Sequence, residues 1–137
     1  MSGIVLDASV ALALVVEEPG TPAALEAVAG TEPIVPDTFW GEVASALVRK
    51  VRRGAIDRET AVEALALLRR LVERTVPTEP LAATAMALSL EFDHPVYDCL
   101  YLAAAVAEDV PLVTADRALR ECGDRAGCGE RVRLVGL

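Results

Sequence analysis

The sequence is short of the residues that the simplest functional readings would need. It holds three cysteines, Cys99, Cys122 and Cys128, and a single histidine, His94. An odd number of cysteines with no pairing framework argues against a disulfide-stapled scaffold and points to a reducing cytoplasm. Without a CxxC pair, and with one histidine, a zinc centre is not expected. Cys122 and Cys128 flank residues 123–127 and are near enough in sequence to approach each other. No uninterrupted apolar run reaches the roughly 18 residues of a membrane span. The apolar N-terminal stretch has no basic residues ahead of it and is broken by Asp7, so a secretory signal is not expected either. Positive charge is scarce: 13 Lys and Arg face 21 Asp and Glu, for a net charge of −8. An acidic total argues against nucleic-acid binding driven by overall charge. It leaves room for a nuclease whose acids gather around metal ions. Lys50 is the only lysine. Arginine suits phosphate forks, but a codon bias would give the same composition.

The 137 residues fit one domain with a real core, and no linker, repeat or low-complexity segment divides residues 1–137. The chain is 53% hydrophobic, with a mean hydropathy of +0.40. That richness predicts an apolar surface buried against a partner. Residues 4–6 form a short apolar run of the kind that suits a strand covered on both faces. A helix follows from Ser9. Thr21 and Pro22 start a second helix, with Thr21 as its N-cap. Residues 33–36 read as a strand, and Asp37 or Thr38 caps a long helix that ends at Gly54. Asp57 starts another. Residues 74–77 fit a short strand, 81–91 a helix, and Asp93-His94 a turn. Pro95 opens a helix to about Glu108. Residues 111–114 are a strand, 117–121 a short helix, 122–130 a glycine-rich loop and 131–135 a last strand. Strands alternating with helices predict a mainly parallel sheet covered on both faces.

Four acids stand out. Asp7 follows the first strand and Asp116 follows the strand that ends at Thr114. The carboxyl edge of a parallel sheet is where ligands bind in open α/β folds. Taken alone, Asp7 reads more simply as a helix N-cap, and the same reading is a fair one for Asp116. Asp98 lies in the first turn of its helix and shares a face with Leu102, Ala105 and Val106. No Lys or Arg stands within a turn of it, so it must be paired, protonated or metal-bound. Glu42, one turn after Phe39, alone reads as a solvated helix acid. Together the four suggest an oxygen-ligated site for Mg²⁺ or Mn²⁺, with Ser9 and Thr114 orienting carboxylates. A cation there lowers the pKa of water and neutralises charge developing on phosphorus.

The segments Val5-Leu6-Asp7-Ala8-Ser9, Gly41-Glu42-Val43, Pro95-Val96-Tyr97-Asp98-Cys99-Leu100-Tyr101-Leu102-Ala103 and Val113-Thr114-Ala115-Asp116-Arg117 occur in that order along nearly the whole chain. In this the sequence resembles PIN domains, and more narrowly the VapC toxins of bacterial and archaeal toxin–antitoxin pairs. The resemblance implies a three-layer α/β/α fold with a parallel sheet and Mg²⁺- or Mn²⁺-dependent cleavage of RNA. Asp7, Glu42, Asp98 and Asp116 fall on the family's acidic quartet, Thr114 on the hydroxyl residue before the last acid, and Ser9 on the small polar residue after the first. It also implies a homodimer and a VapB-like antitoxin that covers the site.

Other readings compete. A response-regulator receiver needs a lysine near the last strand, but Lys50 lies on a helix. A haloacid-dehalogenase-type phosphatase needs an Asp where Ser9 stands. A flap nuclease carries insertions for which this length leaves no room. The remaining alternative is a non-catalytic PIN-like module that binds RNA or protein. Arg49, Lys50, Arg52 and Arg53 form the one basic cluster. They read either as an RNA-phosphate contact or as a solvated helix C-terminus favoured by the dipole. Trp40, Tyr97 and Tyr101 suit base stacking, with core packing or a dimer interface the simpler expectation for each. Asp93 and His94 are read as turn residues outside the mechanism.

Overall fold

A computed structural model describes residues 2–137. The described chain alternates strands β1 (Ser2–Leu6), β2 (Thr31–Pro36), β3 (Arg74–Val76), β4 (Leu112–Thr114) and β5 (Val132–Leu134) with helices α1 (Ala8–Val15), α2 (Thr21–Val28), α3 (Phe39–Arg52), α4 (Arg58–Leu71), α5 (Ala82–Phe92), α6 (Val96–Glu108) and α7 (Arg117–Arg125). The strands form one sheet in the order β3-β2-β1-β4-β5. Every pairing is parallel. Helices α1 to α4 pack on one another, while α6 lies across β1, β2 and β4 with α5 and α7 beside it. The result is three layers, α/β/α.

Strand β1 is central because its residues suit no other place. Ile4, Val5 and Leu6 are wholly buried, as are Leu112 and Val113 of β4. Val5 pairs with Ile34 on one side and with Leu112 on the other. From β1 the chain winds outward to β2 and β3, and later returns to β4 and β5 on the opposite side. That reversal opens a crevice beyond the carboxyl ends of β1 and β4. Phe39, Val43, Leu47, Leu68, Tyr101 and Leu119 complete the core from the helices.

Several local expectations are corrected. Gly20, not Thr21, is the N-cap of α2. The Thr21 hydroxyl instead donates to the Ala13 carbonyl at 2.7 Å and accepts the Glu18 N–H. Neither Asp37 nor Thr38 caps α3 through its side chain: Thr38 is the N-cap residue without a cap bond. Asp57 does cap α4, accepting from the Thr60 N–H. Helix α7 runs four residues past the expected 121, through part of the expected glycine-rich loop. Its glycines serve close approach. A Cβ on Gly123 would meet Val132 Cγ2 at 3.0 Å, and one on Gly129 would overlap the Asp124 side chain. Gly127, at φ +82°, turns the chain out of the helix. The three cysteines are free, with Cys99 and Cys122 buried. Among the described residues no helix is long and apolar enough to cross a membrane.

Leu6 is fully buried at the end of β1, one residue before Asp7. Leu6→Ala is expected to cost about 2–5 kcal/mol, read as a lower urea midpoint at unchanged m-value.

Candidate active site

The crevice at the switch point is an open cleft of about 810 Å³. It is lined by residues that follow β1 (Asp7, Ala8, Ser9), β2 (Asp37, Thr38) and β4 (Asp116), and by Glu42, Arg49, Tyr97 and Asp98 from the helices. The four acids singled out in the sequence therefore meet in one place. Each also stands at a helix N-terminus. Asp7 and Asp116 are the N-cap residues of α1 and α7, and Glu42 and Asp98 lie in the first turns of α3 and α6. Four helix dipoles thus point their positive ends into the cleft, which offsets part of the repulsion among the acids.

Asp7 is 7% exposed. Its position is set by the sheet, because its N–H still bonds the Val113 carbonyl at 3.0 Å, one step beyond the end of β1. Its carboxylate does not cap α1. Oδ2 instead accepts from the Thr114 hydroxyl and, more weakly at 3.4 Å, from Ser9 Oγ. Thr114 Oγ1 in turn accepts the Asp116 N–H at 3.0 Å. One buried hydroxyl thus ties the two strand-end acids together. Burial pushes the Asp7 carboxyl up from its ordinary value, the Thr114 bond opposes this, and the charges of Asp98 and Asp116 add to the rise.

Asp116 uses its two oxygens differently. Oδ1 caps α7, accepting from the N–H groups of Ala118 and Leu119 at 2.9 and 3.2 Å. Oδ2 lies 3.7 Å from His94 Nε2. Asp116 thus caps α7 with one oxygen and faces the cleft with the other.

Asp98 is at the rim of the core rather than within it, with its side chain 32% exposed. Its Oδ2 lies 3.2 Å from His94 Nε2. Burial raises the Asp98 carboxyl, His94 opposes this, and Asp116 adds to it. His94 was expected to be a bystander in a turn, yet its side chain is only 10% exposed and reaches both acids. The turn does exist: Asp93 takes the left-handed conformation at φ 50° and ends α5. The signal for His94 was its spacing, since His94 and Asp98 stand four residues apart across the start of a helix.

Glu42 is held from below. Tyr101 is wholly buried, and its hydroxyl donates to Glu42 Oε1 at 3.1 Å. Tyr101 is thus a core residue, as its pattern suggested, but its polar end serves the cleft. Burial pushes the Glu42 carboxyl up to about 7, against the Tyr101 bond and with help from Asp7 and Asp98. Tyr97 does not pack in the core; it is 58% exposed at the edge of the cleft. Trp40 stands edge-on to Phe39 and donates to Thr75 Oγ1 at 3.2 Å.

The basic cluster divides. Arg49 lines the cleft and donates to Ser45 Oγ at 2.9 Å. Lys50 turns to Glu18, 3.6 Å away. Arg52 lines a separate groove between α3 and α4, and Arg53 is the C-cap of α3. Successive helical residues point about 100° apart, so four neighbours cannot all face one ligand.

A raised carboxyl pKa means that the folded state binds more protons than the unfolded one between the two values. Glu42 moves from 4.5 to about 7. In EDTA the melting temperature should therefore fall as pH rises from about 4.5 through about 7, and Glu42→Gln should flatten that fall. Tyr101→Phe removes a bond that favours the charged form, so it should move the fall to higher pH. Melting curves across pH for the three proteins check both expectations.

The chain shares 37% identity over 84 residues with Ribonuclease VapC1 of Mycobacterium tuberculosis, a match covering 61% of this chain and 62% of that protein. The match therefore spans less than two thirds of the relative. The crystal structure of PAE2754 from Pyrobaculum aerophilum superposes with a TM-score of 0.68 at 21% identity, over 88% of this chain and 79% of that one. VapBC2 from Rickettsia felis, bound to a DNA fragment from their promoter, gives a TM-score of 0.68 at 14% identity, over 97% of this chain and 98% of that one. The PIN domain family model matches residues 4–124, a stretch that contains all four acids, and the chain belongs to the PIN-domain family.

Proposed function

We propose that the chain is a divalent-metal-dependent endoribonuclease, the toxin of a VapBC-type pair, working in the cytoplasm as one PIN-like domain over residues 1–137. The cleft carries the reading. The carboxylates of Asp7, Glu42, Asp98 and Asp116 come from four separate elements, and among the described residues none of them has a Lys or Arg within 4.0 Å. Like charges so grouped repel unless a cation or protons join them. The oxygens of Asp7, Glu42, Asp98 and Asp116 suit Mg²⁺ or Mn²⁺, and these four residues would hold it. Bound there, the cation supplies Lewis acidity that activates water and offsets charge developing on the scissile phosphate.

The chain's own residues do the rest. Thr114 and Ser9 hold Asp7 Oδ2, and Tyr101 holds Glu42 Oε1, so each carboxylate presents a fixed geometry before substrate arrives. Burial favours the protonated form of Glu42 while the cleft lacks a cation, and a cation bound there would displace that proton. Arg49 at the cleft wall offers a fork to a phosphate of the RNA. Tyr97 offers an exposed ring to an unpaired base. The likeness to Ribonuclease VapC1 supports RNA as substrate, and the likeness to VapBC2 supports a VapB-like antitoxin as partner. That partner would set a basic side chain among the carboxylates and cover apolar surface such as the groove of about 390 Å³ between α3 and α4. Met86 and Leu90, exposed one turn apart on α5, support a homodimer.

Purified protein should cut structured RNA with Mg²⁺ or Mn²⁺ and stop with EDTA. Asp98→Asn should lower the rate by more than the roughly 100-fold of an outer-shell loss, yet leave the metal-free protein as stable or more stable. Mn²⁺ should raise the wild-type melting temperature and raise that of the variant less. RNA binding without cleavage, at saturating metal, would favour the non-catalytic module.

A further inference from the structure

His94 lies beside the cleft, against two of its acids, and the four-acid site leaves it unexplained. It is nine-tenths buried. Its Nε2 is shielded from solvent and makes no hydrogen bond of good geometry. The atom nevertheless lies 3.2 Å from Asp98 Oδ2 and 3.7 Å from Asp116 Oδ2. The distances suit an ion pair, but neither contact has the geometry of a good hydrogen bond. Burying an unbonded ring nitrogen is costly. With Nε2 unprotonated, its lone pair would be satisfied by a cation bound beside the two carboxylate oxygens.

The spacing fits. One nitrogen of His94 and one oxygen each of Asp98 and Asp116 lie within 4.8 Å of one another. Ligands held 2.1 Å from an octahedral ion stand about 3.0 Å apart. The nitrogen is therefore near a ligand's place and needs only a small closure. Its backbone is firmly held. The His94 carbonyl accepts from Ser89 Oγ at 2.6 Å and from Cys99 Sγ at 3.8 Å. Asp93 before it is fixed in the left-handed conformation, and Pro95 after it opens α6.

We propose that His94 Nε2 is a direct ligand of the divalent cation held by Asp98 and Asp116, and that it turns an all-oxygen site into a mixed one favouring transition metals over Mg²⁺. The inference rests on the metal-dependent reading above. Carboxylates and water suit Mg²⁺, whereas imidazole favours first-row transition metals. Mn²⁺ is the member of that series that the surrounding oxygens also suit. Mg²⁺ could use the same carboxylates but gains little from the nitrogen.

The test uses Mn²⁺ itself as probe, on the untagged full-length protein. His94 is the only histidine in the chain, so imidazole nitrogen coupling in the pulsed electron paramagnetic resonance of bound Mn²⁺ can come from nothing else. The expected result is a clear ¹⁴N coupling in wild type that is lost in His94→Gln. Competition between Mn²⁺ and Mg²⁺, followed by the signal of free Mn²⁺, should show the Mn²⁺ preference falling about tenfold in that variant. Bound Mn²⁺ without nitrogen coupling in wild type overturns the inference and leaves the carboxylate site standing. Failure of wild type to bind Mn²⁺ overturns both. The spectrum of wild type decides even if the variant does not fold.

Discussion

The site depends on the parallel pairing of β1 with β4. That pairing runs one residue past the end of β1, where the Asp7 N–H bonds the Val113 carbonyl. It brings the Asp7 carboxylate against the Thr114 hydroxyl, and the same hydroxyl receives the Asp116 N–H. A slip of one residue would turn Thr114 to the other face of the sheet and break both contacts. Ile4, Val5, Leu6, Leu112 and Val113 are all fully buried along this seam, and a one-residue advance of β1 would draw Asp7 into the place of Leu6.

Around that seam the fold gathers like charges, which opposes folding. The opposition is tolerated because the acids sit at its margin and their repulsion is partly met by helix ends. The helices α1, α3, α6 and α7 begin at the cleft. Each helix N-terminus favours an anion by about 0.3–1 kcal/mol.

Much of this was legible in the chain. The apolar runs that end at Asp7 and at Thr114 marked two buried strands with acids at one edge. Asp98 betrayed itself by an apolar helix face without a basic neighbour. Glu42 was not legible from its own surroundings. It looked like a solvated helix acid, and only the resemblance singled it out. Its partner Tyr101 lies 59 residues away, a distance over which periodicity carries nothing. His94 was passed over because a lone histidine beside a proline has many uses, and burial of its ring depends on how α5, α6 and α7 close on one another. Gly123 and Gly129 were read as marks of a loop. They mark instead where α7 and its following turn come too close for a side chain, a property of packing that composition does not distinguish from flexibility.

The divided role of Asp116 changes what its replacement means. One oxygen holds the first turn of α7 and the other faces His94. Asparagine retains a carbonyl oxygen for the cap while discarding the charge. Alanine discards both, and loosens a helix whose last turns pack on β5. The two substitutions, commonly treated as interchangeable ways to silence an acid, would silence different things here. The alanine protein would be impaired in its C-terminal architecture before any question of chemistry arose, and a comparison of the pair separates the carboxylate's service to the fold from its service to the cleft.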